Sequence, residues 1–90
     1  MIKKIQVTTP GGIHVGIAVL LRQTALEEQC FISIKTGSKI TSVKDYMKVL
    51  SLGICQNDWI EIMIDSDHDE EIIMSRIEKI LSFGRRDNKK

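Results

Sequence analysis

Ninety residues, 42% hydrophobic and 28% charged, are the make-up of one globular domain with no room for a second. The formal net charge of +1 lacks the basic excess of a nucleic-acid binder, and no segment is long enough to cross a membrane. Aromatics make up only 4%, so Ile, Leu, Val and Met must fill a core too small to enclose a large catalytic cavity.

From Ile2 to Thr8 apolar and polar residues alternate, which predicts an edge or near-edge strand carrying Ile2, Ile5 and Val7. Pro10-Gly11-Gly12 ends it. An amphipathic run follows from Val15 to about Glu28. Ile17, Ala18, Leu20, Leu21, Thr24 and Ala25 recur there at helical spacing, with Arg22, Gln23, Glu27 and Glu28 on the wet face. His14 therefore stands at the N-terminal end of a helix. First-turn amides and the helix dipole favour an anion at such a place. Two roles fit this position: an imidazole that carries a phosphoryl group, or a loop histidine that helps to cap the helix.

Cys30 to Lys35 alternates as a strand does, Thr36-Gly37-Ser38-Lys39 reads as a hairpin turn, and Ile40 to Val43 is the returning strand. Asp45 caps a short helix from Tyr46 to about Leu52, which Gly53 stops. After the Asn57-Asp58 turn, Trp59 to Asp65 is a strand in which Trp59 and Met63 face away from Ile60, Ile62 and Ile64. Asp69, Glu70 and Glu71 open a second long helix, with Ile72, Ile73, Ile77, Ile80 and Leu81 as its apolar stripe. Strand, helix, strand, strand, short helix, strand, helix is most simply an α+β open sandwich: one antiparallel sheet with its helices on one face.

Cys30 and Cys55 both lie beside apolar residues and are expected to be buried free thiols in a reducing compartment. Met1 to Lys4 leads into only a short apolar stretch, so no signal peptide is predicted and a cytoplasmic protein is expected. His68 sits among Asp65, Asp67, Asp69, Glu70 and Glu71. A solvated turn with helix-capping acids explains it, and the order does not match a calcium loop. No cofactor or metal is expected. Residues 84–90, Gly-Arg-Arg-Asp-Asn-Lys-Lys, read as a basic flexible tail after a domain of residues 1–83. The tail is either a solvated terminus or a weak contact for acidic partners.

Gly12-Ile13-His14 with Ala18 following, Lys44, and above all Met47-Lys48-Val49-Leu50-Ser51-Leu52-Gly53-Ile54 make this chain resemble the HPr family. These are the histidine-containing phosphocarriers of the bacterial sugar phosphotransferase system. The resemblance runs from about Val7 to Leu81. It implies a four-stranded antiparallel sheet covered by three helices. It also implies that His14 takes a phosphoryl group from enzyme I and passes it to enzyme II A domains. The amides of Val15, Gly16 and Ile17 would help to hold that group, and Tyr46, Met47 and Leu50 would dock the partners. A neutral imidazole suffices as nucleophile, since phosphoryl transfer is mostly positioning and charge stabilisation.

Three positions depart from the family pattern. Gly16 and Ile17 stand where the family has arginine and proline. Asp45 stands where many Gram-positive members carry a serine that a kinase phosphorylates, creating a form that binds a transcription regulator. Asp45 cannot be so modified. It either supplies a fixed negative charge, about half that of a phosphate, or serves simply as a helix cap. The departures allow a second function, a non-catalytic regulatory protein that binds such a regulator or a metabolic enzyme.

Overall fold

The computed structural model describes residues 1–67 and 69–84. His68 and residues 85–90 lie outside the described residues, and with them the acidic-turn histidine and all of the basic tail except Gly84.

The elements in chain order are β1 (Ile2–Gln6), α1 (Val15–Glu28), β2 (Phe31–Thr36), β3 (Lys39–Ser42), α2 (Tyr46–Ser51), β4 (Trp59–Asp65) and α3 (Glu70–Phe83). The strands form one antiparallel sheet in the order β1-β4-β2-β3. Period-2 alternation sends Ile5 of β1, Ile32 and Ile34 of β2, and Ile60, Ile62 and Ile64 of β4 to one face, where all are buried. On them lie Ile17, Ala18, Leu21 and Ala25 of α1, Val49 of α2, and Ile73, Met74, Ile77, Ile80 and Leu81 of α3. The expected sandwich of one sheet and one helical layer is the observed architecture.

Several boundaries differ from the alternation pattern, each for a local reason. β1 stops at Gln6 because Val7 leaves the ladder: its N–H goes to the Asp58 carbonyl, and its carbonyl accepts from the Asn57 N–H. Thr8 and Thr9 then both donate to the Leu81 carbonyl, which ties the chain to the end of α3. The hairpin between β2 and β3 is tighter than predicted, so Thr36 and Lys39 pair within the sheet. Ile72 is 60% exposed, and Met74 takes its place in the stripe. Residues 73, 74, 77, 80 and 81 share one face at helical spacing, and position 72 falls outside that arc. On the uncovered face of the sheet, Lys44 lies 4.7 Å from the Phe31 ring centre and Lys4 lies 5.8 Å from that of Trp59.

The two long helices are joined across their surfaces by Arg76, which grips both Glu27 and Glu28. The two cysteines differ. Cys30 is buried, whereas Cys55 is exposed on the turn between Gly53 and Trp59, contrary to the sequence expectation. In that turn the Cys55 N–H donates to the Asp58 carboxylate at 2.8 Å and its thiol donates to the Gly53 carbonyl at 3.5 Å, both at the surface. Burial, with Glu28 adding to it, pushes the Cys30 thiol up. A thiol reagent at neutral pH should therefore label Cys55 alone in the native protein and Cys30 only after denaturation. Mass spectrometry of the adducts checks this, and rapid native labelling of Cys30 would contradict it.

Candidate functional site

His14 is the N-cap of α1, with an extended backbone (φ −97°, ψ −177°). Its carbonyl accepts the Ala18 N–H at 3.0 Å, which starts the helical ladder. Its ring nitrogen Nδ1 accepts the Gly16 N–H at 3.2 Å. Nδ1 is thus an acceptor, so a neutral imidazole carries its proton on Nε2. Val15, Gly16 and Ile17 are the first three helical residues. Helix geometry gives their amides no carbonyl of their own helix to bond, and Gly16 spends its amide on the imidazole. The His14 side chain is exposed, so Nδ1 and these amides form a small, open, anion-favouring mouth.

The loop that presents His14 is fastened from below. Ile13 is buried, and its N–H donates to the Ile54 carbonyl at 3.1 Å. Gly12 has φ +69°, and a Cβ there would come within 2.5 Å of the Ile54 carbonyl oxygen and 2.7 Å of the Cys55 backbone. Only glycine permits so close a passage of two backbones. Gly12-Ile13-His14 and the Met47 to Ile54 segment, the two stretches of the family resemblance, are thus one physical unit. Sequence reasoning found both stretches but not the contact between them.

The short helix α2 leads into that contact. Asp45 caps it: Oδ1 accepts the Lys48 N–H at 3.2 Å, and Oδ2 lies 3.9 Å from Lys48 Nζ. Met47 is 63% exposed. Tyr46 and Leu50 are half-buried and pack against the core. Asp45→Ala should cost about 1 kcal/mol and Asp45→Ser close to nothing, as for other N-caps. Chemical denaturation of the two variants measures it, and equal losses would show that the cap is not what Asp45 contributes.

Gly16 is the departure with a structural consequence. A Cβ built there would lie 3.2 Å from His14 Cε1 and 3.4 Å from Nδ1. The residue is at the very edge of the imidazole, where a longer side chain would overhang the ring. Among the described residues, Lys48 is paired with Asp45, and Arg22 lies two turns along α1. Three or more side chains of metal-ligating type converge nowhere among the described residues, and none of their helices is long and apolar enough to cross a membrane.

The family model described as the PTS HPr component phosphorylation site matches residues 1–82. The chain is also 33% identical over 82 residues to the phosphocarrier protein HPr of Buchnera aphidicola, covering 89% of this chain and 93% of that one. The chain belongs to the HPr family. Solved HPr structures share its fold. Phosphocarrier protein HPr from Bacillus anthracis superposes with a TM-score of 0.77 at 26% identity, over 87% of this chain and 92% of that one. HPr-C-His from Thermoanaerobacter tengcongensis gives a TM-score of 0.82 at 24% identity, over 96% and 98%. HPr proteins are phosphocarriers of the phosphotransferase system and work with its enzymes.

Proposed function

We propose that this HPr-family chain accepts a phosphoryl group on His14 from enzyme I and hands it to enzyme II A domains. The observation that carries this reading is the aim of Nδ1. Its lone pair faces the Gly16 amide at the N-terminus of α1, so phosphorus bound there would bring its oxygens to the Val15, Gly16 and Ile17 amides. In the transfer, the bond from phosphorus to the donor breaks as the P–Nδ1 bond forms, and the electron pair leaves with the donor. The proton on Nε2 stays where it is. Ile17 brings an amide that the family's proline lacks, and Gly16 brings no guanidinium. Exposed Met47, with the accessible parts of Tyr46 and Leu50, forms the docking surface on the helix fastened beside His14.

Incubation with enzyme I and phosphoenolpyruvate should add one acid-labile, base-stable phosphoryl group, absent from His14→Ala. A folded protein that forms no adduct at high enzyme I concentration would remove the carrier reading. The regulatory one, in which Asp45 acts as a fixed charge toward a transcription regulator or metabolic enzyme, would then stand.

A further inference from the structure

The helices cover one face of the sheet, and the other face carries more apolar surface than a solvated sheet needs. Each strand places one large apolar side chain there: Ile2 of β1, Phe31 of β2, Ile40 of β3 and Trp59 of β4, every one more than half exposed. Charges of both signs lie among them, Lys4, Lys35 and Lys44 with Glu61 and Asp65. Three lysines and two carboxylates nearly cancel, so the face selects neither a polyanion nor a strongly basic partner. The ladder register sets Lys4, Glu61, Lys35 and Ile40 side by side in one row across the sheet. The next row on this face, Ile2, Met63, Ser33 and Ser42, holds no charge. Asp65 and Phe31 pair in the row after that, and Lys44 lies 4.7 Å from the Phe31 ring centre.

We propose that the open sheet face binds a second copy of this chain, face to face, about a two-fold axis that runs along the strands between β4 and β2. Such an axis keeps each row at its height and reverses its order. Lys4, Glu61, Lys35, Ile40 then meets Ile40, Lys35, Glu61, Lys4. Glu61 of each copy faces Lys35 of the other, and the stem of Lys4 lies against Ile40. Asp65 of each copy faces the other's Phe31 and the Lys44 stacked on it. A two-fold axis across the strands through the same row would set Glu61 on Glu61 and Lys35 on Lys35, so the charges select the first arrangement. Aligned sheets pack about 10 Å apart and within about 30° of each other, a gap that Lys and Glu side chains span. Four strands, with seven residues in β4, make a face of roughly 20 Å by 20 Å. That is the low end for a specific interface and corresponds to a weak dimer, with Kd on the order of 0.1–1 mM. His14 and α1 belong to the helical layer on the opposite side, so both histidines stay open in the dimer. The inference is therefore independent of the phosphocarrier reading.

The test needs no partner protein. Sedimentation equilibrium of the full chain at low salt, from about 10 μM to about 2 mM, should show monomers passing into dimers. The emission of Trp59, the only tryptophan, should move to the blue over the same range. Glu61→Lys or Lys35→Glu alone sets two like-charged pairs in the dimer and should weaken it by roughly tenfold, the scale of two exposed ion pairs lost. The exchange Lys35→Glu/Glu61→Lys restores both pairs with their signs reversed and should recover the parent Kd to within about threefold. Phe31→Ser/Trp59→Ser should leave a monomer throughout. All four substituted side chains lie outside the core, so circular dichroism should show each variant folded. A chain that stays monomeric at the highest concentration, a dimer that withstands Glu61→Lys, or an exchange variant that fails to recover would overturn the proposal. Phosphorylation by enzyme I is scored separately. A dimer without an adduct upholds the sheet-face contact and removes the carrier reading, and an adduct on a strict monomer does the reverse.

Discussion

Gly16→Arg should raise the rate of phosphoryl transfer to and from His14 by roughly ten- to a hundredfold. A hydrogen bond to a charged group contributes about 1.5–3 kcal/mol, which is roughly one to two decades in rate. The introduced guanidinium would reach over the imidazole edge to the oxygens of a phosphoryl group on Nδ1. Its entry cost is small. The nearest obstacles to the new Cβ are His14 Cε1 at 3.2 Å and Nδ1 at 3.4 Å, and an exposed ring can shift by a few tenths of an ångström. Rapid-quench kinetics with catalytic enzyme I and labelled phosphoenolpyruvate would measure the gain. A rate equal to the parent's would show that position 16 does not limit transfer.

Gly12→Ala should be the most damaging single methyl group in the molecule. It combines a left-handed backbone with a collision against the Ile54 and Cys55 backbone, where no flexible side-chain tip can yield. Strain and overpacking together should cost about 2–4 kcal/mol. For a domain of this size that lowers Tm by roughly 10–25 °C. Gly37→Ala is the matched control. It has a similar φ of +60°, but its new Cβ meets nothing within 4 Å. If the two variants melted within a few degrees of each other, the close passage beneath His14 would not be a constraint. The Gly12 variant should also lose phosphorylation beyond its loss of stability, because the loop must lift away from Ile54 and carry His14 with it.

The architecture was legible where one periodicity dominated. Trp59 to Asp65 alternates without interruption, and its buried and exposed residues fall as the alternation predicts. The stripe of α3 was legible except at Ile72, which is hydrophobic but which helical spacing sets outside the arc of positions 73, 77, 80 and 81 while bringing Met74 into it. Val7 was illegible for another reason. It keeps the strand's alternation and is buried, but its hydrogen bonds go to a turn fifty residues away. Cys55 followed its apolar neighbours into an expected core, while the Asp58 carboxylate three residues on held its backbone instead. At the site, sequence pointed to His14, to the first-turn amides and to the Met47 segment separately. The seam joining them, Ile13 and Gly12 against Ile54 and Cys55, depends on contacts between distant segments that no local pattern encodes.

The strand order has a consequence for how the chain reaches this state. Only β2 and β3 are neighbours both in sequence and in the sheet. β1 pairs Ile2 with Met63, so the first strand finds no partner until most of the chain has emerged. β4 must slot between β1 and β2, closing two long loops at once. Such remote pairings slow folding relative to a helical bundle of equal size. The hairpin of β2 and β3, with α2 arriving next, is the natural first nucleus. The Thr8 to His14 loop, held by Leu81 at Thr8 and Thr9 and by Ile54 at Ile13, is then among the last parts to lock. The histidine is therefore shaped only when the whole domain is complete, and a nascent or partly opened chain would not display it.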